Sequence, residues 1–330
     1  MAPHPPDALP PHAGTARRVH HYDVNVRDLD TTLDFLTACT SFDQGERRRS
    51  RAGFLLGDGR TLPERQDAAG EIEHVLLRNT TGPGHPTLHL MRWIDPPPRG
   101  EAHTVPSAVG FYRIVMHSPD LAQSRNAVLA AGFEPFAPTT GDDFRFDIGT
   151  RGPVPFTAFA CHDPNGIVVE FVAGPEPRLS VVAQGTRRLR ASSALLVDVL
   201  GLERYDTVRT IDPTPDVYRP GGGHVRFHGD FLRPPGDPRG YVDLLQFTDP
   251  APAPAYVESH HIGVMRAVFE VDDVDAAWAR VLACAARIVP EYPPTPFSFG
   301  SARGDARVAG FRDHEHVRYQ LLESKRANTS

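Results

Sequence analysis

Along the chain, one hydrophobic pattern recurs four times. His21-Tyr-Asp-Val-Asn-Val26 alternates, with Tyr22, Val24 and Val26 apolar and His21, Asp23 and Asn25 polar. A period of two marks a strand with one face on a core. A helical pattern comes next, and Asp28 and Asp30 are both suited to cap its start. The same order, strand then helix, begins again at Arg113, Val181 and Arg266, and Arg113–Gly132 aligns on Arg266–Ala285. The third helix runs into Asp-Val-Leu-Gly201-Leu-Glu, where glycine can take a left-handed C-cap. Each unit closes in a further apolar strand, at 87–93, 167–172, 241–247 and 317–323. Asp163-Pro164-Asn165-Gly166, a tight-turn sequence, feeds the second of these, and Asp313-His314-Glu315-His316 stands at the same place before the fourth.

Repeats of this kind set the domain organisation. The boundaries read from them are a disordered Pro-rich arm at 1–17 and an N-terminal domain at 18–173 with modules 18–97 and 107–173. A linker at 174–178 joins this to a C-terminal domain at 179–324 with modules 179–250 and 260–324, and a tail at 325–330 ends the chain. Residues 53–70 and 290–300 read as loops that could lie over a binding site.

A βαβββ unit with an Asp-capped helix, an LGL helix end and a DPxGxxxE closing strand resembles the vicinal oxygen chelate superfamily. That family includes glyoxalase I, bleomycin-resistance proteins, methylmalonyl-CoA epimerase and extradiol dioxygenases. The pattern is carried by Asp28, Gly201 and Asp163-Pro164-Asn165-Gly166 with Glu170, and it covers about residues 18–324. The resemblance implies an α+β fold of four βαβββ modules paired into two half-open barrels, or cups. One cup is expected from units 1 and 2, the other from units 3 and 4.

In that family, metal ligands come from the first strand and the last strand of each unit. The resemblance places His21, His89, Arg113 and Glu170 at these positions in the first half, and Val181, Asp243, Arg266 and Gln320 in the second. His21, His89 and Glu170 would form a facial set for a divalent metal ion (Fe, Mn, Ni or Zn) with positions open to a chelating substrate. Arg113 departs from the pattern, because a guanidinium is protonated at any ordinary pH and cannot ligate a cation. It would grip a substrate carboxylate or an enolate oxygen. The alternative is an Arg113–Glu170 ion pair beside imidazoles that only hydrogen-bond. In the second half only Asp243 is a usual ligand type, so no metal is expected there.

Glu170, Arg113 and Asp23 are the candidate catalytic residues. Strand parity adds Asn25, Met91, Trp93 and His117 to Arg113 as candidate substrate contacts, with Met91 and Trp93 as an apolar floor. His20 alternates away from His21, toward the helix or solvent. His260 and His261 fall in a solvated linker, and His314 and His316 in a turn.

Composition narrows the function classes. Hydrophobic residues make up 40% and charged residues 23%, which suits packed cores. The net charge of −6 provides no basic field for nucleic acid or an acidic membrane. No apolar run reaches the roughly 20 residues of a membrane span, and the Pro-rich N-terminus has no signal core, so a cytoplasmic location is expected. Cys39, Cys161 and Cys284 lack CxxC spacing, which argues against a disulfide framework or a thiolate zinc site. The leading expectation is a metal-assisted lyase, isomerase or oxygenase acting on a small oxygenated metabolite, in secondary metabolism, as a monomer or homodimer. A metal-free antibiotic-binding protein of the bleomycin-resistance kind and a metal-free acid–base enzyme are the alternatives. An extradiol dioxygenase of the usual type fits poorly, because its iron positions would fall on Val181, Arg266 and Gln320.

Overall fold

The computed structural model describes residues 14–51, 70–82, 84–104, 107–139, 145–211, 214–215, 224–249, 252, 258–299 and 306–324. Most of the expected arm, nearly all of the 53–70 loop and the 325–330 tail lie outside the described residues. The first strand begins at Ala16, inside the expected arm.

Four units are present. Their opening strands are Ala16–Asn25, Gly110–Ser118, Arg178–Gly185 and Gly263–Val271. Their helices are α1 (Leu29–Cys39), α2 (Leu121–Ala130), α3 (Leu189–Leu200) and α4 (Val274–Ala283). The closing strands are Thr87–Asp95, Val168–Ala173, Val242–Asp249 and Arg318–Ser324. Asp28, Asp120 and Asp273 accept from backbone N–H groups in the first turns of α1, α2 and α4, satisfying donors that the helix itself leaves open. Helix α3 has no such cap and ends on Gly201 at φ 70°. Among the described residues no helix is long and apolar enough to cross a membrane.

The units do not pair in chain order. One curved sheet of eight strands joins unit 4 to unit 1 through Gly263–Val271 and Ala16–Asn25, which run antiparallel. The other, of eleven strands, joins unit 2 to unit 3 through Gly110–Ser118 and Arg178–Gly185. The expected cups of units 1 with 2 and 3 with 4 are therefore replaced by cups of units 1 with 4 and 2 with 3. The limits 18–173 and 179–324 mark stretches of chain, and each stretch is divided between both sheets. The physical reason is that all four opening strands carry the same apolar alternation, which fixes the face buried but not the neighbour. Cross-strand pairs choose the neighbour. Asp23 stands directly opposite Arg266, and their side chains make a buried ion pair at 2.9 Å.

The backs of both sheets and all four helices share one apolar core that includes Tyr22, Phe35, Phe111, Phe269 and Tyr319. Tyr22 meets Phe111 at 5.9 Å between ring centroids, and Gln184 Nε2 donates to Tyr319 Oη at 2.6 Å, tying one sheet to the other. Residues 290–297, expected as loop, belong to the strand Ile288–Phe297. Its prolines fall beside register shifts at Pro290/Tyr292 and Tyr292/Thr295, where a ladder tolerates a residue that lacks an N–H.

The crossed pairing has a measurable consequence. A fragment ending at residue 175 should show no cooperative melt by circular dichroism, because the strand edges of its two units are built for partners beyond that point. A well-dispersed monomeric NMR spectrum of this fragment would contradict the pairing.

Candidate functional site

Strand register makes the four units comparable residue by residue. Opening and closing strands lie parallel, with Asp23 beside His89, Val115 beside Glu170, Ala183 beside Asp243 and Val268 beside Gln320. Two residues earlier on the opening strands stand His21, Arg113, Val181 and Arg266. These are the eight positions that the sequence singles out. The crossed pairing redistributes them, placing His21, His89, Arg266 and Gln320 in the 1–4 cup and Arg113, Glu170, Val181 and Asp243 in the 2–3 cup. The expected set of His21, His89 and Glu170 is not assembled, because Glu170 lies on the other sheet. Of the expected substrate contacts, Asn25, Met91 and Trp93 share the sheet of His21, and His117 shares that of Arg113.

In the 1–4 cup the buried carboxylate of Asp23 is the hub. Its Oδ1 lies 2.7 Å from His89 Nδ1 and 3.3 Å from His21 Nε2, and its Oδ2 lies 2.9 Å from Arg266 Nε. Burial works against ionisation of Asp23. The two imidazoles and the charge of Arg266 more than offset it, holding this carboxyl well below the usual range. Behind it a file of side chains continues, with His74 Nδ1 2.9 Å from His89 Nε2 and Ser50 Oγ 2.9 Å from His74 Nε2. Burial lowers His74 to about 3 and also lowers His21, so both rings are neutral. His20 is the extra residue of a bulge and approaches His21, 2.7 Å between Nδ1 atoms, rather than facing a helix.

Phe297 and Phe299 close over the rings of this cup. Trp93 Nε1 donates to Asn25 Oδ1 at 3.0 Å, and Asn25 Nδ2 donates to the carbonyls of Ser259 and His261. Asn25 therefore serves to hold the segment before unit 4, and His260, expected in solvent, is half-buried against Trp93. The ligand atoms of His21, Asp23 and His89 all lie within 4.8 Å of one another, and His21 Nε2, although buried, makes no well-formed hydrogen bond among the described residues. Two imidazoles and one carboxylate fit a first-row divalent cation. Asp23, rather than Glu170, is the carboxylate that stands with these two imidazoles.

The 2–3 cup is open. It encloses a cavity of about 510 Å³ lined by rings from both units, among them Tyr112, Phe146, Phe156, Phe227 and Phe247. At one side Arg113 stands between two carboxyls, its Nη1 3.3 Å from Glu170 Oε2 and its Nη2 3.8 Å from Asp243 Oδ2. Burial pushes Glu170 up to about 7, against the pull of Arg113 and with a push from Asp243. Burial likewise pushes Asp243 up to about 6. Arg113 reaches the cavity together with Tyr112 because the register slips there: Arg113 faces Ala183 while Phe111 faces Gln184, which leaves Tyr112 as a bulge residue. His117 lines the same cavity, and burial lowers it to about 4. Asp243 was legible only as an isolated ligand-type residue, and the rings on the middle strands gave no sequence signal at all. Their alternation matches that of any half-buried strand.

Comparison with known proteins agrees with this architecture. Residues 178–321 match the Glyoxalase/Bleomycin resistance protein/Dioxygenase superfamily. The crystal structure of glyoxalase I from Zea mays superposes with a TM-score of 0.63 at 15% identity, covering 93% of this chain and 92% of the maize chain. A putative dioxygenase from Bacillus subtilis subsp. subtilis str. 168 superposes with a TM-score of 0.56 at 13% identity, covering 95% and 87% of the two chains. At such identities the likeness establishes the fold. No curated protein sequence matches the chain.

Proposed function

We propose, from the match of residues 178–321 to the Glyoxalase/Bleomycin resistance protein/Dioxygenase superfamily and from the glyoxalase-like fold of the chain, that this protein is an enzyme moving a proton on a small oxygenated molecule in the 2–3 cup. The observation that carries this reading is the buried Arg113–Glu170–Asp243 cluster beside a cavity of about 510 Å³. A carboxyl near 7 is ionised in part at neutral pH and basic enough to take a carbon-bound proton, and general bases are most effective in that range. In this reading Glu170 removes a proton from the carbon next to a carbonyl. The C–H electrons move into the carbonyl, and the guanidinium of Arg113 balances the enolate oxygen as its charge develops. The proton returns from Glu170, or from protonated Asp243 at a neighbouring atom. The family neighbours make an enzyme-like chain the coarse reading, while lyase, isomerase and oxygenase chemistry differ only in the fate of the enolate. A sequestering protein would bind the ligand without this exchange.

The test is solvent deuterium incorporation at the α-carbon of 1-indanone, monitored by NMR in D2O with and without a chelator. Exchange faster than buffer and indifferent to the chelator is expected. No catalysed exchange, or exchange that disappears with the chelator, would sink the acid–base reading.

A second reading has its own observation, the buried ligand atoms of His21, Asp23 and His89, all within 4.8 Å of one another. His21, Asp23 and His89 would hold a divalent ion, and Arg266 would fix the second oxygen of Asp23. An ion bound there supplies Lewis-acid chemistry to a chelating oxygen pair. Elemental analysis after loading with Fe, Mn, Ni or Zn should find stoichiometric metal, falling to background in His21→Ala and His89→Ala with the melting curve kept. Wild-type protein that takes up none of these metals rules the centre out. Both cups are completed within one chain, so neither reading calls on a second subunit.

A further inference from the structure

We propose that the 2–3 cup takes an uncharged, planar aromatic molecule bearing a hydroxyl next to a carbonyl oxygen, and that it rejects carboxylates and phosphates. This names the ligand class of the site proposed above and rests on that reading. The sequence alone points the other way, since an arginine at this position would grip a substrate carboxylate.

Charge decides the matter. Arg113 is already flanked by Glu170 at 3.3 Å and Asp243 at 3.8 Å. A ligand carboxylate would bring a third anionic group to one guanidinium beside two buried carboxyls, where like charges repel more strongly than in bulk water. The other ionisable groups on the cavity do not change the balance. His117 is held neutral by burial, and Tyr241 is a phenol pushed up to about 12. Arg151 lies at an exposed position, where salt and water screen it.

Hydrogen bonding points to the functional groups. Asp243 lines the cavity, and its buried Oδ1 accepts no hydrogen bond among the described residues. A buried acceptor without a donor is costly, and a ligand hydroxyl supplies that donor. The guanidinium a few ångströms away supplies N–H groups for an adjacent carbonyl oxygen. A hydroxyl beside a carbonyl therefore meets both requirements with no added charge.

Shape points to a flat ring system. Phe146 meets Phe156 at 5.1 Å and Phe227 at 5.4 Å, Phe227 meets Phe247 at 5.2 Å, and Phe247 meets Tyr112 at 6.2 Å. This run of rings belongs to both units and borders the cavity throughout. Aromatic walls favour stacked or edge-on rings, and the volume falls in the range of drug-sized ligands.

The test measures binding by isothermal titration at pH 8 with two probes of matched size, 1-hydroxyanthraquinone and anthraquinone-1-carboxylate. The uncharged probe is expected to bind about tenfold tighter or more, and Asp243→Asn is expected to narrow that gap by about tenfold by strengthening the carboxylate. Val225→Trp, which fills the cavity, should abolish binding of both probes with the melting curve retained. Equal or tighter binding of the carboxylate by wild type, or binding of neither probe, overturns the inference. Because binding is read directly, selectivity without indanone exchange would refute the catalytic reading alone. Exchange with carboxylate preference would refute this inference alone.

Discussion

Glu170→Gln is expected to slow indanone exchange by about 10²-fold or more, the usual loss on removing a general base. Glutamine keeps the shape and the acceptor toward Arg113 but cannot take a proton. The same variant should change how stability depends on pH. The folded-state value of Glu170 is about 7, against an ordinary 4.5. Between these values the unfolded chain has released the proton and the folded chain still holds it. The unfolded state binds fewer protons, so wild-type stability falls as pH rises through this window and levels off above it. The Glu170 contribution is on the order of 3 kcal/mol at one pKa unit per 1.36 kcal/mol. Urea titrations should therefore find Glu170→Gln gaining on wild type from pH 4.5 to pH 8. A variant that keeps full exchange activity, or that tracks wild type across this range, would contradict the role given to Glu170.

Arg113→Met should be the most destabilising single change in the 2–3 cup, costing about 3–5 kcal/mol at pH 8, the usual cost of breaking a buried ion pair from one side. Methionine replaces the side-chain volume but leaves Glu170 and Asp243 facing each other with no cation. Without Arg113 both folded-state values rise further, since its charge is what lowers them. At pH 5 the two carboxyls are then protonated in the folded chain and the deficit shrinks. Denaturant midpoints at pH 5 and pH 8 distinguish this from lost packing, which would cost the same at both. An equal deficit at both pH values would mean that Arg113 only fills space. Exchange activity should also vanish, because no cation would remain to meet the enolate oxygen.

How far the sequence is legible depends on what kind of interaction decides each feature. The four units, the helix start at Asp28 and the shared positions of His21, Arg113, Val181 and Arg266 come from local rules: a period of two, a capping side chain, a turn before a strand. The register of every parallel strand pair in the structure places those residues equivalently. By contrast, the expected meeting of Glu170 with His21 and His89 fails, although each residue stands at its expected place within its own unit. The bulges that turn Tyr112 toward the cavity and His20 toward His21 were also invisible, because an extra residue in one strand is defined only by its partner strand.

By itself, then, the sequence determined a fourfold βαβββ chain and the eight positions where chemistry can sit, since both depend on neighbours a few residues apart. Only the tertiary structure decided which four positions share a cup. Four strands with one alternation can join in several ways that bury the same faces. The choice falls to long-range contacts such as Asp23 with Arg266, 243 residues later in the chain, and Arg113 with Asp243. That choice set Arg266 against Asp23 and gave Arg113 a second carboxylate.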